Sequence, residues 1–160
     1  MAGPLGAFRQ SEQRNRLSES GVTEPIRQQQ TIRIMIIDEE HLVRASLKAL
    51  VTSWEGFQVM AEAASKHQAI RQLGHLGPDV VLLSVPGSGE VDRRTVHDIA
   101  RVCESARLLV LIAEGHEEFR LELLRLRTRV LLKTQDPIEL QRTIQSIYAT
   151  TRGRRDDNDA

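Results

Sequence analysis

The amino-acid sequence predicts a doubly wound α/β domain, a parallel sheet of five strands with helices on both faces. Three observations carry that expectation. Short apolar runs recur and mostly do not alternate, as strands buried on both faces do not. Segments with apolar residues at helical spacing separate them. The β-α alternation repeats five times, which calls for parallel pairing with right-handed crossovers.

Thr31 to Ile37 is the first predicted strand, and it runs into three acids, Asp38-Glu39-Glu40. Val43, Leu47, Leu50, Val51 and Trp54 then give a helical stripe, with Gly56 placed to end it. Phe57 to Ala63 alternates, which suits an edge strand with one wetter face. Ser65 and Gln68 form a capping box before a helix carrying Ala69, Ile70 and Leu73. Val80 to Leu83 is the third strand. It delivers Ser84 to a loop built on Pro86, Gly87 and Gly89. Val96, Ile99, Ala100 and Cys103 mark the third helix, and Leu108 to Ile112 the fourth strand. Phe119, Leu123, Leu124 and Leu126 are assigned to a fourth helix, and Val130 to Leu132 to a short fifth strand ahead of Lys133. Asp136, Pro137 and Glu139 open the last helix as cap, first-turn proline and box partner. Its buried face is Leu140, Ile144, Ile147 and Tyr148.

The flanks differ in composition. Residues 1–30 show no apolar period and read as a disordered arm, with a short helix over Phe8 to Leu17 as the one local option. Residues 31–150 form the domain, and 151–160 a polar, solvated tail. The 160 residues suit one domain, and their formal net charge of +0 offers no electrostatic footprint for nucleic acid or an acidic membrane surface. Scarce aromatics argue against a base-stacking surface. No apolar run is long enough to span a bilayer and the N-terminus lacks a signal-peptide pattern, so a soluble cytoplasmic protein is expected. The single cysteine, Cys103, excludes an internal disulfide and reads as a small buried apolar group. The five histidines show no ligand spacing and read as surface residues.

In a parallel sheet all strand ends point to one rim, where ligands bind. This rim collects Asp38 and Glu39 after strand one, Ser84 after strand three, Ile112 and Ala113 after strand four, and Lys133 after strand five. An acid pair, a hydroxyl and a cation suggest an ancestral site for a divalent cation and a phosphoryl group, since hard cations take carboxylates and lysine offsets phosphate charge. The segments IMIIDEEHLVRASLKAL (34–50), GFQVMAEAASKHQAI (56–70), PDVVLLSVPGSG (78–89), LLVLIAEG (108–115) and LLK (131–133) resemble, in that order and spacing, the receiver domain of two-component response regulators. The similarity is closest to receivers followed by a helix-turn-helix. It implies a flavodoxin-like, CheY-like sandwich with sheet order 2-1-3-4-5.

By that resemblance Asp38 and Glu39 match the acid pair that holds Mg²⁺, and Lys133 the lysine that contacts the phosphoryl group. Ser84 falls where the phosphoacceptor aspartate stands, and Ile112 where a hydroxyl residue stands. Val130 and Leu131 leave no aromatic switch residue, and Thr134 stands where proline is common. Serine cannot form an acyl phosphate and needs a base to be a nucleophile. Its context, L-S-V-P-G, is not the hydrolase elbow G-x-S-x-G. The loop's glycines lack the Gly-Lys-Ser/Thr of a nucleotide site.

The expectation is therefore a stand-alone pseudo-receiver, not an enzyme, acting by protein contact without phosphorylation. A receiver still modified on Ser84 is the alternative, and a small enzyme using Ser84 comes last. Mg²⁺ on Asp38 and Glu39 is expected to be weak, with the acid pair free to pair with Lys133 instead. Arg120, Arg125, Arg127 and Arg129, interleaved with leucines, read either as a solvated face or as a partner face. Expected partners are a histidine kinase, a regulator or another receiver, including a homodimer, with no direct nucleic-acid contact and no membrane.

Overall fold

The structure is a computed structural model. It describes residues 30–156 apart from 88, 104, 105, 127, 134 and 135, and of 151–156 the backbone alone. Ten elements alternate: β1 (Ile32–Ile37), α1 (His41–Thr52), β2 (Phe57–Ala63), α2 (Lys66–Leu73), β3 (Val80–Ser84), α3 (Glu90–Val102), β4 (Arg107–Ile112), α4 (Glu117–Arg125), β5 (Arg129–Leu132) and α5 (Pro137–Asp156). All pairings are parallel and the sheet order is β2-β1-β3-β4-β5, as expected.

The central strands are apolar throughout because both of their faces are covered. On one side Met35, Ile37, Val81, Leu83 and Val110 pack against α2, α3 and α4 through Ala69, Val96, Ile99, Phe119 and Leu123. On the other, Ile34, Ile36, Val80, Leu82 and Leu109 pack against α1 and α5 through Val51, Leu140, Ile144 and Ile147. The alternation of β2 breaks partway. Ile34 pairs with Val59 and Met35 with Ala61, so Met60 is the extra residue of a bulge on this edge strand.

Several local expectations are corrected by the structure. Helix α1 ends at Thr52 with Ser53 as C-cap, so Trp54 lies beyond it, and Gly56, at φ 81°, makes the turn into β2 instead. Ser65 does cap α2, with its Oγ accepting from Gln68 N at 3.1 Å. The reciprocal bond of the box goes one residue further back, as Ala64 N donates to Gln68 Oε1 at 2.9 Å. Ser65→Ala is expected to cost about 1 kcal/mol, read as a lower urea midpoint at unchanged slope. Leu124 lies on α4 as assigned and is exposed, whereas Leu126 falls just past the end of that helix. Asp136 caps α5, with its Oδ1 accepting from Ile138 N at 2.9 Å. That helix continues to Asp156, through residues expected to form a polar tail. Of the expected arm over residues 1–30, residues 1–29 with the Phe8–Leu17 helix lie outside the described part, as do residues 157–160, Thr134 and Arg127.

Candidate functional site at the carboxyl rim of the sheet

Parallel pairing brings the ends of β1, β3 and β5 to one rim. Ile37 pairs with Leu83 and Ser84 with Leu111, which places Asp38 and Ser84 side by side. Beyond the last strand pair, Lys133 N donates to Ile112 O at 2.8 Å and carries the β4–β5 ladder one residue further. A cavity of about 110 Å³ opens between these ends, lined by Asp38, Glu39, Ser84 and Lys133 together with Lys66, Asp92 and Thr95.

Asp38 is buried and held from several directions. Its Oδ1 accepts from Glu40 N at 2.7 Å, and its carbonyl accepts from Arg44 Nη1 at 2.8 Å. Its Oδ2 has no hydrogen-bond partner among the described residues, and neither does Ser84 Oγ. Both residues are only 5 % exposed, so two buried polar atoms at this cavity lack the partners such groups normally find. Glu39, by contrast, is exposed.

Around them, Asp92 Oδ2 accepts from Gly87 N at 3.0 Å and shapes the loop after β3, where Gly87 holds a φ of 86°. A Cβ on Gly87 would meet His116 Cδ2 at 3.0 Å, so that loop also lies close to the turn after β4. Lys66 Nζ donates to Asp98 Oδ2 at 2.7 Å. That hydrogen bond holds the Asp98 carboxyl below the ordinary carboxylate range.

No family model matches the chain. Individual proteins do. It is 36% identical over 91 residues to the positive alginate biosynthesis regulatory protein of Pseudomonas aeruginosa, a match covering 56% of this chain and 36% of that protein. It is 27% identical over 122 residues to the nitrate/nitrite response regulator NarL of Escherichia coli, covering 76% of this chain and 56% of the relative. The chain thus spans little more than half, or less, of the length of these curated relatives. The crystal structure of a LuxR-family two-component response regulator from an Aurantimonas species superposes with a TM-score of 0.64 at 29% identity, over 75% of this chain and 86% of that one. The chain carries a CheY-like receiver domain.

Within the receiver, the rim gathers Asp38, Glu39, Ser84 and Lys133 at one cavity, whereas Ile112 is fully buried beside it and is not part of its lining. The expected pairing of Lys133 with the acids does not form. Among the described residues no ion pair joins Lys133 to Asp38 or Glu39. The donor set does not fit Mg²⁺. That ion asks for near-octahedral oxygen ligands anchored on carboxylates or phosphates. Here one carboxylate is buried at the rim, a hydroxyl stands next to it, and no group of three acidic, histidine or cysteine side chains suited to a metal occurs among the described residues.

Lys66, Asp92 and Thr95 were not singled out in the sequence. Their only signal is position, Lys66 and Asp92 in the first turns of helices that start at the same rim and Thr95 in the turn after. The arginines sit elsewhere: Arg120, Arg125 and Arg129 are exposed on α4 and at the start of β5, and Arg120 Nη1 lies 3.2 Å from Glu117 Oε1.

Cys103 caps the end of α3 and packs partly into the core, and its burial pushes the thiol up to about 11. The thiolate is the reactive form, so iodoacetamide at neutral pH is expected to label the unfolded chain readily and the native one slowly. Comparison of labelling rates with and without urea checks this. No helix among the described residues is long and apolar enough to cross a membrane.

Proposed function

We propose that this receiver domain is a pseudo-receiver, a protein-interaction module that works without phosphorylation. On this reading Ser84 stands in the phosphoacceptor position. The single observation that supports it most is the state of that residue. Ser84 Oγ is buried and has no hydrogen-bond partner among the described residues, so none of them is placed as a base to take its proton, and a neutral hydroxyl without a base is a poor nucleophile. The buried isoleucine at position 112 offers no hydrogen bond to a phosphoryl oxygen. The same reasoning speaks against a small hydrolase built on Ser84, and we take the domain not to be an enzyme.

The partner is a protein: a histidine kinase, a regulator or another receiver. The location is the cytoplasm, direct nucleic-acid contact is not required, and residues 1–30 and 151–160 act as flanks to the domain. Relatives such as NarL bear the name response regulator, which supports a place in two-component signalling. A titration with beryllofluoride and Mg²⁺, followed by amide NMR, tests the reading. No saturable shift is expected. Saturable binding with shifts around Ser84 and along α4 would overturn it.

A second reading is favoured by Lys66 and Lys133, which line the same cavity as Ser84 and would offset the charge of a phosphate on its hydroxyl. Intact-mass analysis after acetyl phosphate treatment separates the two. An added phosphate that survives mild acid and maps to Ser84 would identify a seryl ester and replace the first reading.

A further inference from the structure

The lining of the rim cavity runs from Asp38 and Ser84, both buried, outward to Glu39, Glu40, Val91 and Lys133, all exposed. Three acceptors with capacity to spare stand along it. Asp38 Oδ2 and Ser84 Oγ have no hydrogen-bond partner among the described residues. Thr95 Oγ1 donates to Val91 O at 2.9 Å, which leaves the lone pairs of its own oxygen. Part of the wall is buried and apolar, formed by Ile37, Leu83 and Val85. At about 110 Å³ the space suits a group of several heavy atoms rather than a single water.

The charges favour a cation. Asp38, Glu39, Glu40 and Asp92 line the cavity against two lysines. One of these, Lys66, is held by Asp98 at 2.7 Å. The other, Lys133, makes no ion pair with Asp38 or Glu39 among the described residues, and it also lines the neighbouring groove between α1 and α5. A bare hard metal ion asks for about six or more oxygens, more than this set supplies. A primary ammonium carries three N–H donors and asks for three acceptors. An alkyl stem on it would lie against the apolar wall, the mixture of surfaces that small-molecule sites present.

We propose that the rim cavity binds a primary alkylammonium group, with its –NH₃⁺ on Asp38 Oδ2, Ser84 Oγ and Thr95 Oγ1 and its methylenes against Ile37, Leu83 and Val85. Two sources share that chemistry, a free aliphatic amine and the lysine side chain of another protein. Lys133 is then a competitor at the mouth and not a ligand. The inference rests on the reading that Ser84 does not accept phosphate, and it names what the same site takes instead. Failure to bind an amine would overturn the ligand alone, whereas beryllofluoride binding would overturn the reading.

Amide NMR on the 160-residue chain tests it, by titration with butylammonium chloride. Saturable shifts are expected at Asp38, Ser84 and Thr95, with a Kd of about 1–10 mM, the scale for so few contacts. Potassium chloride and 1-butanol at the same concentrations should not reproduce them. Asp38→Asn keeps an oxygen for Glu40 N but loses the charge, and should weaken binding by about tenfold or more. Should that variant misfold, as circular dichroism would show, Thr95→Val gives a second reading, a loss of about threefold. Lys133→Met removes the competing cation and should tighten binding by about twofold or more. Tighter binding of butane-1,4-diamine than of Nα-acetyl-lysine methylamide assigns the source to a free amine, and the reverse order to a protein's lysine; either order bears out the ammonium class. No saturable shift overturns the proposal, as do equal shifts with potassium chloride or 1-butanol. So does unchanged affinity in folded Asp38→Asn or Thr95→Val, or weaker binding in Lys133→Met.

Discussion

Ser84→Asp is expected to destabilise the metal-free domain by about 1–3 kcal/mol, the scale of burying a charged group without adequate partners. The new carboxylate would enter a cavity of about 110 Å³ that already holds the unpartnered Oδ2 of Asp38. Two like charges in one buried space oppose each other, and Lys133 makes no ion pair with Asp38 that would offset them. Mg²⁺ should then raise the melting temperature of the variant by several degrees while leaving the wild type unmoved, because only the variant has adjacent buried carboxylates for a hard cation. Differential scanning fluorimetry with and without Mg²⁺ checks both halves. A variant as stable as the wild type in metal-free buffer would show that position 84 does not face Asp38 across the cavity.

Leu82→Ala should cost about 2–5 kcal/mol, the range for emptying a buried leucine site. Leu82 has no exposed surface and sits in the middle strand, paired with Ile36 on β1 and Leu109 on β4. The vacated space lies between the sheet and the helices α1 and α5, walled by close-packed side chains such as Ile36, Leu109, Val51 and Ile144, which close over it only in part. Against a total stability of about 5–15 kcal/mol for a typical domain, that is a large share. Leu42→Ala, in the same protein and with the same chemical change, should stay within about 0.5 kcal/mol because the side chain is largely in water. Urea unfolding of the pair measures the contrast. Equal midpoints would contradict the assignment of Leu82 to the core.

Much of the site was legible without coordinates because a parallel sheet sends every strand end to the same rim. Asp38, Ser84 and Lys133 each directly follow an apolar run, so their convergence is a consequence of topology. What they do there was not legible. Whether Lys133 reaches the acids depends on the path of one flexible side chain past its neighbours, and sequence spacing carries no information on that. Lys66 and Asp92 joined the cavity from helix starts whose residues read as ordinary first-turn polar positions. Leu124 was assigned to the fourth helix, but not the side it faces: it sits one residue from the buried Leu123, and one residue is a turn of about 100° on a helix, enough to carry it from the sheet to solvent.

The sequence by itself determined the five β-α units, the parallel sheet, the two-sided burial of its central strands and the meeting of acid, hydroxyl and lysine at one rim. These follow from periodicity and chain order, which act locally or through a fixed topology. Only the tertiary structure decided that Asp38 and Ser84 face a shared cavity with polar atoms unpartnered, that Lys133 leaves the acids alone, and that Lys66, Asp92 and Thr95 line that cavity from neighbouring helices. Those are relations between surfaces of different elements. They depend on how helices seat against the sheet, which is set by packing over the whole core rather than by any one segment.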